Sequence, residues 1–362
     1  MAIASSVTHN FNAGPSILPQ EVFEQASQAI LNFNDTGLSL LEIGHRTPMF
    51  ESVMQEARTL VHELMNLHTD QEVLFLHGGA TTQFMQVPMN LLSDNDLAAY
   101  TETGTWADKA IKEAKLFGHV EIVGSSKDSN YCAMPSIDHV TPTASYLHIT
   151  TNETIAGTQW HNLPYNMGVP LVADMSSDIF SRVLDFQQFD LIYAGAQKNM
   201  GAAGVNLLVV NKNILGKVNR SIPTILDYRN HIKEESMLNT PPVFAVYVAL
   251  LTLRWIKKMG GVASVEKLND AKASLFYNTL DNLPIFQGPV QYAHRSKMNA
   301  VFTMENEALE KKFLALCKNE NMVGLKGHRS VGGFRVSMYN ALTIESVQAL
   351  CDLMNEFASK KG

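Results

Sequence analysis

Cysteine is scarce in this chain of 362 residues: only Cys132, Cys317 and Cys351 occur, with no Cys-x-x-Cys spacing. That excludes a disulfide framework and a zinc knuckle, and an odd, sparse set of thiols points to a reducing, cytoplasmic setting. Long apolar runs are missing as well. The longest, residues 243–253, is eleven residues counting Thr252, well short of the roughly 20 needed to span a bilayer. The opening MAIASSVTHNFNAGPS has neither a basic segment nor an apolar stretch, so no secretory leader is expected. No basic cluster exceeds a pair such as Lys257-Lys258, and 28 Lys+Arg against 35 Asp+Glu leave a formal net charge of −7. Binding a phosphate backbone needs a basic patch, so neither nucleic acid nor membrane is an expected partner.

The common ligand-binding signatures are absent too. No two glycines stand at i and i+2, which removes the G-x-G-x-x-G fingerprint and weakens a dehydrogenase reading. There is no G-x-x-x-x-G-K-[ST] loop and no G-x-S-x-G elbow. The 12 histidines are scattered, the closest pair being His62 and His68; without H-x-x-x-H spacing no metal site is expected.

What is present describes a folded α/β protein. The apolar fraction is 46% and the charged fraction 17%, ordinary for a globular chain, and the length suggests about two domains. Helical periodicity places Val22, Ala26, Ala29, Ile30 and Phe33 on one face of residues 19–33. It does the same for Phe50, Val53, Met54, Ala57, Leu60, Val61 and Leu64 in 49–65. Short apolar runs at 73–76, 144–149, 170–173, 191–194 and 205–210 read as buried strands. Helical stretches such as 106–117 separate several of them, which predicts a mostly parallel central sheet covered by helices. After a long helix over 241–259 the pattern changes. Helical faces at 265–280, 309–319 and 344–358 bracket strands at 300–304 and 334–338. The expected division is an N-terminal arm (1–16), a large domain (17–259) and a smaller α+β C-terminal domain (260–362).

Two polar residues fall where a ligand should lie, at the carboxyl ends of parallel strands. Lys198 follows the run 191–194 and is hemmed by Gly195, Ala196, Gly201, Ala202, Ala203 and Gly204, so a large planar group has room at its amine. A solvated loop lysine is the plain alternative. Asp174 ends the run 171–173; it is either a turn cap or the carboxylate that a lysine-bound pyridoxal phosphate needs opposite its ring nitrogen. Residues 73–83 read as strand, Gly-Gly turn and helix start, a ready phosphate site or a simple helix cap. Thr240 and Pro241 suit the N-cap and first position of the next long helix. Arg335 lies on the strand face opposite Phe334, Val336 and Met338, free to fork onto a carboxylate.

Taken together these segments resemble the phosphoserine aminotransferase family, within class V of the pyridoxal-phosphate aminotransferases of fold type I. The resemblance runs from about Asn10 to the last residue. It is carried by FNAGPSILP (11–19), GHR (44–46), HGG-x-x-x-QF (77–84), TGTWA (103–107), NETIAG (152–157), ADMSS (173–177), IYAGAQKNMG (192–201), ILDY (225–228), NTPP (239–242) and LKGHRSVGGFRVSMYNA (325–341). It implies a pyridoxal 5'-phosphate enzyme in which Lys198 carries the cofactor covalently and acts as acid and base, while Asp174 partners the ring nitrogen. Trp106 would stack on the ring, Thr154 would hydrogen-bond it, and Ala80, Thr81 and Gln197 would hold its phosphate. Asn239 and Thr240 would reach that phosphate from a second subunit, implying a homodimer with shared sites. His45, Arg46, His328, Arg329 and Arg335 would bind substrate.

The implied reaction is amino transfer from L-glutamate to 3-phosphohydroxypyruvate, giving 2-oxoglutarate and O-phospho-L-serine in a ping-pong cycle. A four-carbon phosphorylated keto acid, used by some relatives in pyridoxine biosynthesis, stays open as a further substrate. Some members carry an arginine where this chain has Thr81, which would shift phosphate binding toward His45, Arg46, His328 and Arg329. Other members can carry a serine at Ala13. The alternatives are another class V enzyme and a non-catalytic binding protein on the same fold. Among the former, a cysteine desulfurase would need a mobile nucleophilic cysteine, and an alanine–glyoxylate type aminotransferase would not need the His-Arg pairs.

Overall fold

The computed structural model describes residues 7–329 and 331–360. Residues 1–6 of the expected arm and Ser330 within the 325–341 motif lie outside the described residues. Seven strands form the main sheet: β1 (Gln71–His77), β2 (Leu97–Glu102), β3 (His119–Ser125), β4 (Leu147–Thr150), β5 (Leu171–Asp174), β6 (Leu191–Gly195) and β7 (Val205–Asn211). Their spatial order is β1-β7-β6-β5-β4-β2-β3. β7 runs antiparallel to both neighbours, so the other six strands point one way.

Strands β1, β5, β6 and β7 are mostly apolar on both faces because both faces are covered. Val73 and Phe75 join the core on one side and Leu74 and Leu76 the core on the other; Ile192 and Ala194 separate from Leu191 and Tyr193 in the same way. The first side is closed by α1 (Gln20–Leu31) and α2 (Pro48–Met65), and the other by α3 (Ala80–Leu91) and α4 (Thr105–Ala114) with the short α5 (Tyr228–Lys233). The apolar helix α6 (Val243–Lys258) packs beside α1 and α2. Its charged end is tied to them by Arg254–Glu56, Lys257–Glu63 and Lys258–Glu21 pairs.

A second core lies among α7 (Val262–Asp281), α8 (Glu307–Asn319) and α9 (Ile344–Ser359), against a small sheet of β8 (Phe286–Gln287), β9 (Asn299–Met304) and β10 (Phe334–Ser337). Phe302 and Phe334 stack across β9 and β10 with centroids 4.5 Å apart. Phe11 of the N-terminal arm is fully buried in the same core.

Three expectations are corrected. Ile30 is 37% exposed: it sits at the rim of the face that Val22, Ala26 and Ala29 bury. Thr240 does not cap the long helix, which begins at Val243 after Pro242 and has no side-chain cap. The tandem prolines lack N–H groups, and Pro242 disfavours the helical region for the residue before it, so the first helical turn starts after them. Strands β2 and β3 were not anticipated: the first is alanine-rich, and the second is a half-exposed edge whose side chains carry little of the buried-strand signal.

Candidate active site

A cavity of about 310 Å³ opens at the carboxyl ends of β4, β5 and β6. This is the crevice where open α/β sheets bind ligands. Asp174 is the last residue of β5 and Lys198 follows β6 by three positions. The first turn of α3 supplies Ala80 and Thr81 after Gly79, and it contains no acidic residue. Its free N–H groups make it a favourable place for an anion.

Lys198 is 9% exposed. Its Nζ donates to Thr154 Oγ1 at 2.7 Å and lies 5.5 Å from the centre of the Trp106 ring. Burial pulls its pKa from 10.5 down to about 8, although the neighbouring Asp174 and Glu153 carboxyls push it back up. The site therefore holds the Lys198 proton less tightly than water holds that of an ordinary lysine. Asp174 Oδ1 accepts from the backbone N–H and the hydroxyl of Ser176, at 2.9 and 2.6 Å. Burial raises the Asp174 carboxyl, against the hydrogen bonds from Ser176 and the charge of Lys198.

The N-terminal arm closes over the lysine. Ser16 donates from its hydroxyl to the Lys198 carbonyl, and a Cβ on Gly14 would stand 3.2 Å from Lys198 Cγ. Gly14 also has a φ of +138°, a region that side chains disfavour. Only glycine suits this crossing.

A buried amide–hydroxyl network joins the two sheets beneath the cavity. Asn152 Nδ2 donates to Ser177 Oγ at 2.8 Å and to Asn299 Oδ1 at 2.9 Å. Asn299 Nδ2 donates to Ser337 and Tyr339, and the Tyr339 hydroxyl donates to the Ala13 carbonyl at 2.8 Å. This fixes β10, and with it Arg335, relative to Lys198. Arg335 lines the cavity, with Nη1 3.5 Å from the Thr154 carbonyl oxygen and Nε buried without a partner among the described residues. Burial depresses its pKa. Burial also lowers the pKa of His328, as do the charges of Arg335, Arg329 and Lys109. Arg335 and His328 at the cavity, with the charges of Arg329 and Lys109 felt there, are suited to an anionic ligand.

Of the residues singled out in the sequence, Ala80, Thr81, Trp106, Thr154, Asp174, Gln197, Lys198, His328 and Arg335 line the cavity. His45, Arg46, Arg329, Asn239 and Thr240 do not. Arg46, Arg329 and Thr240 are exposed, and Asn239 Nδ2 lies 3.3 Å from His77 Nδ1. Thr150, Asn152, Ile155, Ser176 and Ser177 also line it and had been given no role, although all but Thr150 stand inside the motifs quoted above. Glu153 was also overlooked. It is fully buried, and desolvation pushes its carboxyl up to about 7. No cysteine lines the cavity; Cys317 and Cys351 are buried in the second core.

Residues 8–350 match the family described as aminotransferase class-V. The phosphoserine aminotransferase of Flavobacterium johnsoniae is 58% identical over 353 residues, spanning 97% of this chain and 99% of that protein. The one from Porphyromonas gingivalis is 51% identical over 359 residues, with 97% and 99% covered. Among solved structures, the phosphoserine aminotransferase of Bacillus circulans subsp. alkalophilus superposes with a TM-score of 0.96 at 43% identity, covering 99% of this chain and 100% of that one. The PLP-bound phosphoserine aminotransferase of Trichomonas vaginalis superposes with a TM-score of 0.92 at 34% identity, covering 96% and 100%.

Proposed function

The chain belongs to the class V aminotransferase family, and from that premise we propose that it is a phosphoserine aminotransferase. It moves the amino group of L-glutamate to 3-phosphohydroxypyruvate, giving 2-oxoglutarate and O-phospho-L-serine. The observation that carries this reading is a buried amine, Lys198, set with Asp174 in one cavity and facing a cationic cluster. Full-length likeness to phosphoserine aminotransferases supports it.

The donor set fits pyridoxal phosphate. An indole flanks the amine, a helix N-terminus without acidic residues borders the cavity, and Arg335 Nε and Thr150 Oγ1 have no partner among the described residues. Lys198, Asp174, Trp106, Thr154, Gln197, Ala80 and Thr81 would hold the group. When bound, pyridoxal phosphate supplies an aldehyde carbon that takes up an amino group and a ring that withdraws electrons from the adjoining carbon.

The chain's own residues do the rest. Lys198, partly neutral because it is desolvated, takes the α-proton of the amino acid and returns a proton as general acid. Asp174 keeps a proton on the ring nitrogen. Arg335 binds the α-carboxylate as a fork, and His328 with Arg329 binds the distal phosphate or carboxylate. One site thereby accepts both a dicarboxylate and a phosphorylated keto acid.

His45, Arg46, Asn239 and Thr240 act from a partner subunit in a homodimer. None of the four lines the single chain's cavity or adjoins in sequence a residue that does, unlike Arg329 beside His328, and this supports the reading. The enzyme works in the cytoplasm, a reading supported by its three free thiols.

The test is amino transfer assayed with glutamate and either 3-phosphohydroxypyruvate or glyoxylate. Turnover should require the phosphorylated acceptor and vanish in Lys198→Ala. Preference for glyoxylate would move the function to another class V enzyme, and turnover in Lys198→Ala would remove the lysine from the chemistry.

A further inference from the structure

Trp106 stands in the first turn of α4, yet that helix lacks a cap of its own. Its N-cap is Gly104, which makes no side-chain bond, so the first-turn N–H groups need acceptors from elsewhere. Glu153 provides one from a segment nearly fifty residues away. Its Oε1 accepts from the Ala107 N–H at 3.4 Å and from the Thr103 hydroxyl at 3.1 Å. The backbone N–H of Trp106 also faces this carboxyl. Glu153 is 0% exposed and, among the described residues, pairs with no cation.

Gly104 is the complement of this arrangement. A Cβ there would stand 2.6 Å from the Glu153 carboxyl carbon. An ordinary Ser, Thr, Asp or Asn cap would therefore occupy the space that the carboxyl already fills. The next residue, Thr154, holds the Lys198 amine. The dipeptide Glu153-Thr154 thus fixes both the indole and the amine that faces it at 5.5 Å.

We propose that Glu153 is the positioning residue for Trp106, capping from a distant segment the helix that presents the indole to the cofactor. This rests on assigning the cavity to pyridoxal phosphate. Glu153 acts through its acceptor oxygen, so an amide oxygen in the same place can replace it.

The test is the affinity of the cofactor-free protein for pyridoxal phosphate, measured by equilibrium dialysis and independent of turnover. Wild type is compared with Glu153→Ala, Glu153→Gln, Trp106→Leu and the Glu153→Ala/Trp106→Leu double variant. Glu153→Ala should weaken binding about tenfold, Glu153→Gln by less than about twofold, and the double variant should bind no worse than Trp106→Leu. Losses that add in the double variant would overturn the proposal, as would Glu153→Gln binding as weakly as Glu153→Ala. If circular dichroism shows Glu153→Ala unfolded, Gly104→Ala takes its place. Its Cβ displaces the carboxyl, so it should weaken binding likewise, and unchanged affinity would refute the idea. If wild type itself binds no pyridoxal phosphate, the cofactor assignment falls and this inference falls with it.

Discussion

Lys198→Met should stabilise the cofactor-free protein at neutral pH, and the gain should fade as the solution becomes alkaline. Burial lowers the Lys198 pKa from 10.5 to about 8 in the folded protein, while in the unfolded chain the amine titrates near its ordinary value. Between those two values the unfolded chain binds the proton and the folded protein does not, so stability rises with pH across that window. Below about pH 8 both forms are protonated and the folded state carries the full penalty of burying the charge. At roughly 1.4 kcal/mol per pH unit, a fall from 10.5 to about 8 corresponds to about 3 kcal/mol.

Methionine fills similar space without charge. Losing the hydrogen bond to Thr154 offsets about 1 kcal/mol, leaving a net gain of about 2 kcal/mol at neutral pH. Other groups that titrate in the window are common to both proteins and cancel in the difference. Unfolding free energies of the two cofactor-free proteins, from denaturant titrations at equal concentration, should differ by that amount at about pH 7 and become equal near about pH 10, where the remaining burial penalty matches the lost hydrogen bond. A variant no more stable than wild type at neutral pH would refute the claim that Lys198 is held in a desolvating site. So would a gain that stays constant with pH.

Arg335→Leu should lower kcat/KM for glutamate and for 3-phosphohydroxypyruvate together, each by about a hundredfold. A loss confined to one substrate would show that Arg335 is not the shared carboxylate anchor. Mixing inactive Lys198→Ala and Arg46→Ala protomers should restore up to about a quarter of wild-type activity, because half of the dimers are mixed and each holds one intact site. No recovery after subunit exchange would place Arg46 in its own chain's site. Tyr339→Phe removes the hydroxyl shared by Ala13 and Asn299 and should destabilise the protein by about 1–3 kcal/mol. Unchanged denaturation would show that the network does not tie the arm to the small sheet.

Much of the fold was legible because strands buried on both faces must be apolar throughout. Residues 191–194 and 205–210 could be recognised on that ground alone, whereas β2 and β3 could not. The first has two small alanines at the middle of its short apolar run, and the second is an edge with solvent on its outer side. Lys198 and Asp174 were legible because each follows a strand at the end where ligands bind. The network through Asn152, Asn299 and Tyr339 was not, because its partners stand as much as 326 residues apart and an amide has no periodic signature. Glu153 stands inside the NETIAG motif, but its role was not legible there: a lone acid between two polar residues reads as surface, and only the fold shows it closed under α4.

The most direct test of the central claim, that Lys198 and Asp174 hold pyridoxal phosphate for amino transfer between glutamate and a phosphorylated keto acid, is a visible absorbance spectrum. The protein is reconstituted with the cofactor, then treated with glutamate and next with 3-phosphohydroxypyruvate. A visible band that glutamate bleaches and 3-phosphohydroxypyruvate restores is the expected result. A protein that shows no band after reconstitution, or whose bleached band the phosphorylated keto acid leaves unrestored, would contradict it.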